Sequence, residues 1–157
     1  MSEEVRLAVP ADEDKIVAMI SMLHDENGLF PLSERKVRDY MQRAFLGQGA
    51  MIGVIGEIGD PVASIYLGIE QPYYSDTWYL NEAWNFVHPD YRKSGYAKKL
   101  LEWAKAGAKT LGIPLMIGIV SNHRTEAKIR LYERQLEKAG AFFVWNRDSL
   151  GPTAWDK

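Results

Sequence analysis

The sequence predicts an α+β domain: a mixed, mostly antiparallel sheet with about four helices around it. Three observations carry that prediction. Two β-type runs, Ala50–Ile58 and Val62–Glu70, are separated only by Gly59-Asp60-Pro61, a gap that fits an antiparallel hairpin. The strand-like run Tyr79–Val87 is followed by an amphipathic helical stretch and then by Pro114–Val120, short and almost wholly apolar. That is a βαβ unit, so its two strands should be parallel with a right-handed crossover. Read end to end, the order is β-α-α-β-β-β-α-β-α-β.

Each element has a local reason. Val5-Arg6-Leu7-Ala8-Val9 alternates and stops at Pro10, which suits a first strand. Asp12 is a candidate N-cap for a helix with Ile16, Met19, Ile20 and Leu23 at helical spacing, ending near Asn27-Gly28. A second helix starts at Ser33 after Pro31, carries Val37, Tyr40, Met41 and Ala44 on one face, and is closed by Gly47 and Gly49. Gly53, Gly56 and Gly59 lie inside or at the end of a strand pattern with no helix following, so they read as strand and turn glycines. Gln71–Asp76 is a polar, tyrosine-bearing loop. The next helix stripes Ala97, Leu100, Leu101, Ala104, Ala108 and Leu111 against Lys98, Lys99, Glu102, Lys105 and Lys109, and Gly112 caps it. Pro114–Val120 reads as a strand buried on both sides. A last helix over 124–138 ends at Ala139-Gly140, and Ala141–Trp145 makes a further strand.

Composition narrows the function classes. The 157 residues, 46% hydrophobic and 11% aromatic, support a sizeable core in one domain, 1–157. A net charge of −2 gives no electrostatic case for nucleic acid or an anionic membrane. With no cysteine there is no disulfide, no cysteine-ligated zinc and no cysteine acyl-enzyme. The start, MSEEVRLAVP, lacks an apolar core segment and no run approaches 18 apolar residues, so a soluble, cytoplasmic protein is expected. His24, His88 and His123 lack metal spacing and read as solvated side chains; no metal is expected.

The stretch Asn85–Leu101 carries the chemistry. An apolar strand end, Phe86-Val87, runs through His88-Pro89-Asp90 into a basic, glycine-containing loop and then into a helix. Helix N-termini leave N–H donors unsatisfied and carry the positive end of the dipole, so the order makes an anion seat. Neither a Walker A string nor a G-x-G-x-x-G fingerprint is present. Gly95 lets the backbone approach an oxyanion, Ala97 keeps the approach clear, and Arg92 and Lys93 add charge.

The string R-x-x-G-x-A at Arg92, Gly95 and Ala97, preceded by V-x-P at Val87 and Pro89, resembles the acetyl-CoA loop of the GNAT acyltransferase superfamily. The opening V-R-L-A-x-P-x-D-x-x-x-I is similar to that family's first strand and helix, and the element order matches over nearly the whole chain. The resemblance implies a sheet that splays between the parallel strands, and an N-acetyltransferase moving acetyl from acetyl-CoA directly to a primary amine in a ternary complex. It implies that backbone groups of Phe86 and Val87 meet the thioester end, and that N–H groups of Lys93, Ser94, Gly95, Tyr96 and Ala97, with Arg92, hold the pyrophosphate. An amine of pKa roughly 10.4 must lose a proton before it attacks, at about 4–5 kcal/mol at pH 7, so a base is worth having. Glu82 is the candidate, but it alternates out of phase with Asn85 and Val87 and reaches the acetyl side only if a bulge shifts the register. Asn85 is a candidate substrate contact. Tyr132, in Leu131-Tyr132-Glu133, stands where many relatives carry the general acid, although Thr125 and Lys128 replace the Asn and Ala of their pattern. An ordinary core tyrosine is the rival reading. Asn122 is a candidate for the pantetheine arm.

Tyr73, Tyr74, Trp78, Asp76 and the Asp25–Phe30 segment could rim the pocket for a small-molecule or peptide amine. The residues after Trp145 leave room for only a short final strand, and its pairing, within the chain or in a homodimer, stays open. Two rival functions stay open as well: a non-catalytic acetyl-CoA-binding sensor, and an interaction scaffold.

Overall fold

The computed structural model of the protein describes residues 3–122 and 124–156, so His123 lies outside the described residues. The chain forms two compact units. One runs through Ile20 and resumes over Ser33–Ile117; the other takes Ser21–Leu32 and the chain from Gly118 onward.

The first unit holds the sheet. Its strands, β1 (Arg6–Leu7), β2 (Ala50–Glu57), β3 (Asp60–Glu70), β4 (Tyr79–Val87) and β5 (Leu115–Met116), are neighbours in chain order. Three pairings are antiparallel, and β4 with β5 is parallel. The described helices are α1 (Glu13–Asn27), α2 (Glu34–Phe45), α3 (Tyr96–Leu111) and α4 (Thr125–Glu133). The fold class is therefore the mixed α+β sheet that the sequence predicts.

One sheet face takes α3. Ile55, Ile65, Leu67 and Leu80 form a single buried cluster with Tyr96, Leu100, Ala104 and Ala108 of that helix. The approach is close enough to dictate residue size. A Cβ on Gly53 of β2 would stand 2.8 Å from the Trp103 ring, so the strand needs glycine where the indole presses on it. Tyr66 packs in the other direction, its ring centroid 4.7 Å from Trp84 and 5.6 Å from Tyr40 of α2. The Tyr66 hydroxyl donates to Tyr40 O at 3.1 Å, and Trp84 Nε1 donates to the buried Ser64 Oγ at 3.0 Å.

Asp12 is not an N-cap of α1. A 3-10 turn, Pro10–Asp12, precedes the helix and carries the carboxylate into the interior, fully buried. There it accepts from the two terminal guanidinium nitrogens of Arg6 at 2.8 and 3.0 Å, from Val9 N–H at 2.9 Å and from Gly59 N–H at 2.8 Å. One side chain thus ties β1 and the turn to the β2–β3 hairpin apex. Arg38 of α2 reaches α1 similarly, donating to Glu13 at 2.5 Å and Asp14 at 2.9 Å, and these carboxylates with Glu34 raise its pKa further.

Three expectations are corrected. The strand expected over Pro114–Val120 is a ladder of two residues, Leu115 and Met116. It is an edge strand with Met116 47% exposed, and Val120 beyond it is 51% exposed, so the apolar run is not doubly buried. No strand forms over Ala141–Trp145: aromatic and β-branched residues set a propensity, but a strand exists only where a ladder partner lies alongside. The last helix stops at Glu133 rather than 138. It buries no residue fully, and packing of an apolar face supplies most of a helix's stability.

Candidate active site

β4 leads into the junction that the sequence singles out. His88 N–H donates to Val62 O at 2.8 Å, carrying the β3–β4 ladder one residue past Val87. The chain then makes a 3-10 turn, Pro89–Tyr91, where Asp90 N–H is capped by His88 Nδ1 at 3.2 Å. Tyr91 stacks on the buried Tyr96 ring with centroids 6.0 Å apart, fixing the turn to the core. Burial, with Glu3 beside it, pushes the Tyr96 phenol pKa up. That ring is core material, so only its backbone is left for a ligand.

The loop is partly self-satisfied. Ser94 donates its N–H to Tyr91 O at 3.1 Å and its hydroxyl to the same oxygen, and Tyr96 N–H donates to Ser94 Oγ at 3.3 Å. Among the described residues, the N–H groups of Lys93, Gly95 and Ala97 donate to nothing. Gly95 sits at φ +84°, left-handed, with no atom within 4 Å of where a Cβ would stand. Its conformation opens α3, whose first turn contains no acidic residue. Arg92 folds back, Nε to Val87 O at 3.4 Å. The result is an alternating row of donors beside exposed Arg92 and Lys93, facing open space at the positive end of a 16-residue helix.

The face of β4 is set by an irregularity. Val87 pairs with Ala63, Asn85 with Ile65 and Trp84 with Tyr66, but Leu67 pairs with Glu82, leaving Ala83 as a surplus residue. Regular alternation would put Glu82 on the face of Phe86. The bulge puts it with Asn85 and Val87, on the side where Ile65 and Leu67 pack against α3. This is the shift that Glu82 required. Phe86, opposite Ser64, buries its ring and offers the site only backbone. The parallel ladder holds only Leu80↔Leu115 and Asn81↔Met116, and ends there while β4 runs on to Val87.

Glu82, Asn85, Phe86, Val87 and Arg92–Ala97 thus share the first unit, while Asn122 and Tyr132 belong to the second. Asn122 is exposed just past Ser121, and Tyr132 is half-buried near the C-terminal end of α4. The two positions that depart from the family pattern both serve Ser121. Thr125 Oγ1 donates to Ser121 O at 2.9 Å, and Lys128 Nζ donates to Ser121 Oγ at 3.0 Å. Ser121 Oγ donates in turn to the buried Asn27 Oδ1 at 2.8 Å, and Trp155 Nε1 donates to Asn27 O at 2.9 Å. Sequence reasoning passed over Ala83 and Ser121 and took Lys128 only as a departure from the family pattern. An alanine in a strand carries no signal of a bulge, and polar residues in a loop show their partners only when folded. Tyr73 and Tyr74 are exposed, ring against ring at 5.2 Å, on the β3–β4 loop with Trp78. Among the described residues no group of His, Cys, Asp and Glu could hold a metal, and no helix is long and apolar enough to cross a membrane.

Comparison with known proteins agrees with this architecture. A family model described as an acetyltransferase (GNAT) domain matches residues 48–135. Among solved structures, a ribosomal-protein-alanine N-acetyltransferase from Brucella melitensis biovar Abortus 2308 is similar at TM-score 0.69 and 16% identity, covering 91% of this chain and 97% of that one. Glucosamine-6-phosphate N-acetyltransferase from Arabidopsis thaliana is similar at TM-score 0.67 and 14% identity, covering 92% and 98%. So is AAC(6')-Iy, in complex with the bisubstrate analogue CoA-S-monomethyl-acetylneamine, at TM-score 0.68 and 11% identity, covering 91% and 96%. No curated protein matches the sequence.

Proposed function

Since the chain belongs to the GNAT acetyltransferase family, we propose that it transfers an acetyl group from acetyl-CoA directly to a primary amine, both bound together in a ternary complex. The observation that carries the reading is the strand–turn–helix junction at Val87–Ala97, with its undonated N–H groups at Lys93, Gly95 and Ala97. These residues fit an acetyl-CoA diphosphate: donors alternate along the loop, Gly95 leaves the approach open, and no carboxylate stands in the first turn of α3. Acetyl-CoA supplies the activated acetyl group when bound.

The chain's own residues do the rest. Lys93, Gly95 and Ala97 donate to the anion; Ser94 and Tyr96 hold the loop in shape, and Arg92 adds positive charge. Backbone groups of Phe86 and Val87 orient the acyl end, and an N–H aimed at a carbonyl oxygen favours the charge that develops there. Glu82 takes the proton of the acceptor ammonium, directly or through water, from the face it shares with Asn85, which contacts the acceptor. Tyr132 returns a proton to the leaving sulfur, and Asn122 hydrogen-bonds the pantetheine arm. The acceptor is a small-molecule or peptide amine, and residues 1–157 act as one acyltransferase domain in the cytoplasm.

Thermal shift with acetyl-CoA, followed by thiol release across a panel of amines, tests the proposal. Stabilisation with release supports it. Stabilisation without release from any amine identifies a CoA-binding module, and no stabilisation removes the acyl-transfer reading. Gly95→Ala should weaken acetyl-CoA about tenfold, since a Cβ at left-handed φ costs about 1–2 kcal/mol. Calorimetric titration checks it, and an unchanged affinity removes the loop from the site. Tyr132→Phe should lower kcat by about tenfold or more with acetyl-CoA affinity little changed. Unchanged turnover would return Tyr132 to an ordinary packing role.

A further inference from the structure

We propose that Glu70, with the tyrosines around it, forms a subsite for an alkylammonium group on the face of the sheet opposite Glu82. Glu70 closes β3 and is half-buried. In register it stands across from Tyr79, with Gly68 across from Asn81. Alternation along β3 sets Tyr66, Gly68 and Glu70 on one side, the side on which Tyr66 meets Tyr40 of α2. Two neutral groups fix the carboxylate: Asn81 Nδ2 donates to Oε2 at 3.0 Å, and the Tyr79 phenol stands beside it. Burial, and then the Glu70 charge, pushes that phenol's pKa up, which keeps Tyr79 protonated and donating. Tyr74 of the exposed β3–β4 loop adds to the same shift.

No cation of the chain answers this charge. Among the described residues Glu70 forms no ion pair, whereas Glu13, also half-buried, takes Arg38. Arg43 of α2 is turned to the Tyr40 ring instead, 5.8 Å from its centroid. A carboxylate withdrawn from bulk water gains most from a counter-charge, and here a ligand has to bring it. The space for that ligand lies over Gly68. A Cβ there would stand 3.7 Å from Glu70 Oε1 and 3.7 Å from Tyr66 Cε1, both ordinary contacts, so the chain's own packing does not demand glycine as it does at Gly53. A strand glycine without an internal reason marks close approach by something else. Ring atoms beside the carboxylate thin out the water that competes for it, which strengthens its pull on a cation. An ammonium suits the place better than a guanidinium, because a planar fork needs both oxygens and Oε2 is already engaged with Asn81. The ammonium has two sources: the second amine of an acceptor, which rests on the acyl-transfer reading, or a separate cationic ligand.

Nitrogen–proton NMR of the full-length protein with millimolar butylammonium chloride tests the subsite. The amide signals of Gly68, Glu70 and Asn81 should move and saturate, and butanol should leave them in place. Glu70→Gln should weaken the binding about tenfold, the loss of one charge-assisted hydrogen bond. Gly68→Ala should weaken it as well while Tm holds or rises, since alanine suits a strand better than glycine and its Cβ takes the ligand's place. Signals that butylammonium does not move, that butanol moves equally, or that move equally in Glu70→Gln overturn the proposal. Thiol release with acetyl-CoA then assigns the source. If the second amine of an acceptor docks here, straight-chain diamines should show a KM about tenfold below the matching monoamines, and Glu70→Gln should erase that gap. No gap in either protein assigns the subsite to a separate cationic ligand. Absence of thiol release with every amine removes the acyl-transfer reading but leaves the amide displacements, and with them the subsite, standing.

Discussion

Replacing Asp12 with alanine is expected to lower the free energy of unfolding by about 3–5 kcal/mol, the usual cost of removing one partner of a buried ion pair. The carboxylate is fully buried and accepts four hydrogen bonds, two from Arg6 and one each from Val9 and Gly59. Its loss strands two backbone donors and a partly buried guanidinium at once. In a domain of this size the change should lower Tm by about 6–20 °C, read by calorimetry at neutral pH. A second readout separates this from generic core damage. Burial alone would raise the Asp12 pKa, but the Arg6 guanidinium and the N–H groups of Val9 and Gly59 outweigh burial and hold it below its ordinary value of 3.8. A carboxylate with a depressed folded pKa contributes stability that is fully present above the unfolded value and lost as pH falls through the folded one. The gap in Tm between the natural protein and Asp12→Ala should therefore be constant near neutrality and shrink once pH drops below about 4. A gap that ignores pH would mean that Asp12 acts through volume rather than charge.

Replacing Glu82 with glutamine should lower kcat by about 10²–10⁴-fold while leaving acetyl-CoA binding nearly untouched. Glutamine keeps the size and the hydrogen-bonding reach but cannot accept the ammonium proton. The pH profile is the decisive measurement. The natural protein should lose kcat/KM as acid protonates the base, and the variant should lack that limb. The variant should instead regain rate at high pH, where more of the free amine is already deprotonated. Equal turnover in the two proteins would dismiss Glu82 as the base.

The fold was legible where local chemistry and tertiary partners agree. Val87-x-Pro89 and Gly95 announced a strand–turn–helix junction because each residue there serves its own backbone: proline in the turn, a left-handed glycine ahead of α3. The hairpin of β2 and β3 was legible from a short gap. Legibility failed where the outcome depends on a neighbour. Ile117–Val120 and Ala141–Trp145 have strand composition, yet neither finds a ladder among the described residues. The site divides the same way. Arg92, Gly95 and Ala97 lie in one short string that the family pattern picks out. The facing of Glu82 depends on how β4 registers against β3, and Ser121 depends on Asn27, far away in sequence.

The surplus alanine of β4 has a consequence for which kinds of sequence change the protein tolerates. Because Ala83 is exposed and stands outside the ladder, exchanging it for another small residue changes little. Removing it would return the strand to regular alternation with Glu82 next to Trp84, which keeps Glu82 opposite Leu67 on the side of α3. The facing of Glu82 is therefore the constrained quantity, so drift among descendants of this sequence should show substitution or loss of this one residue between Glu82 and Asn85.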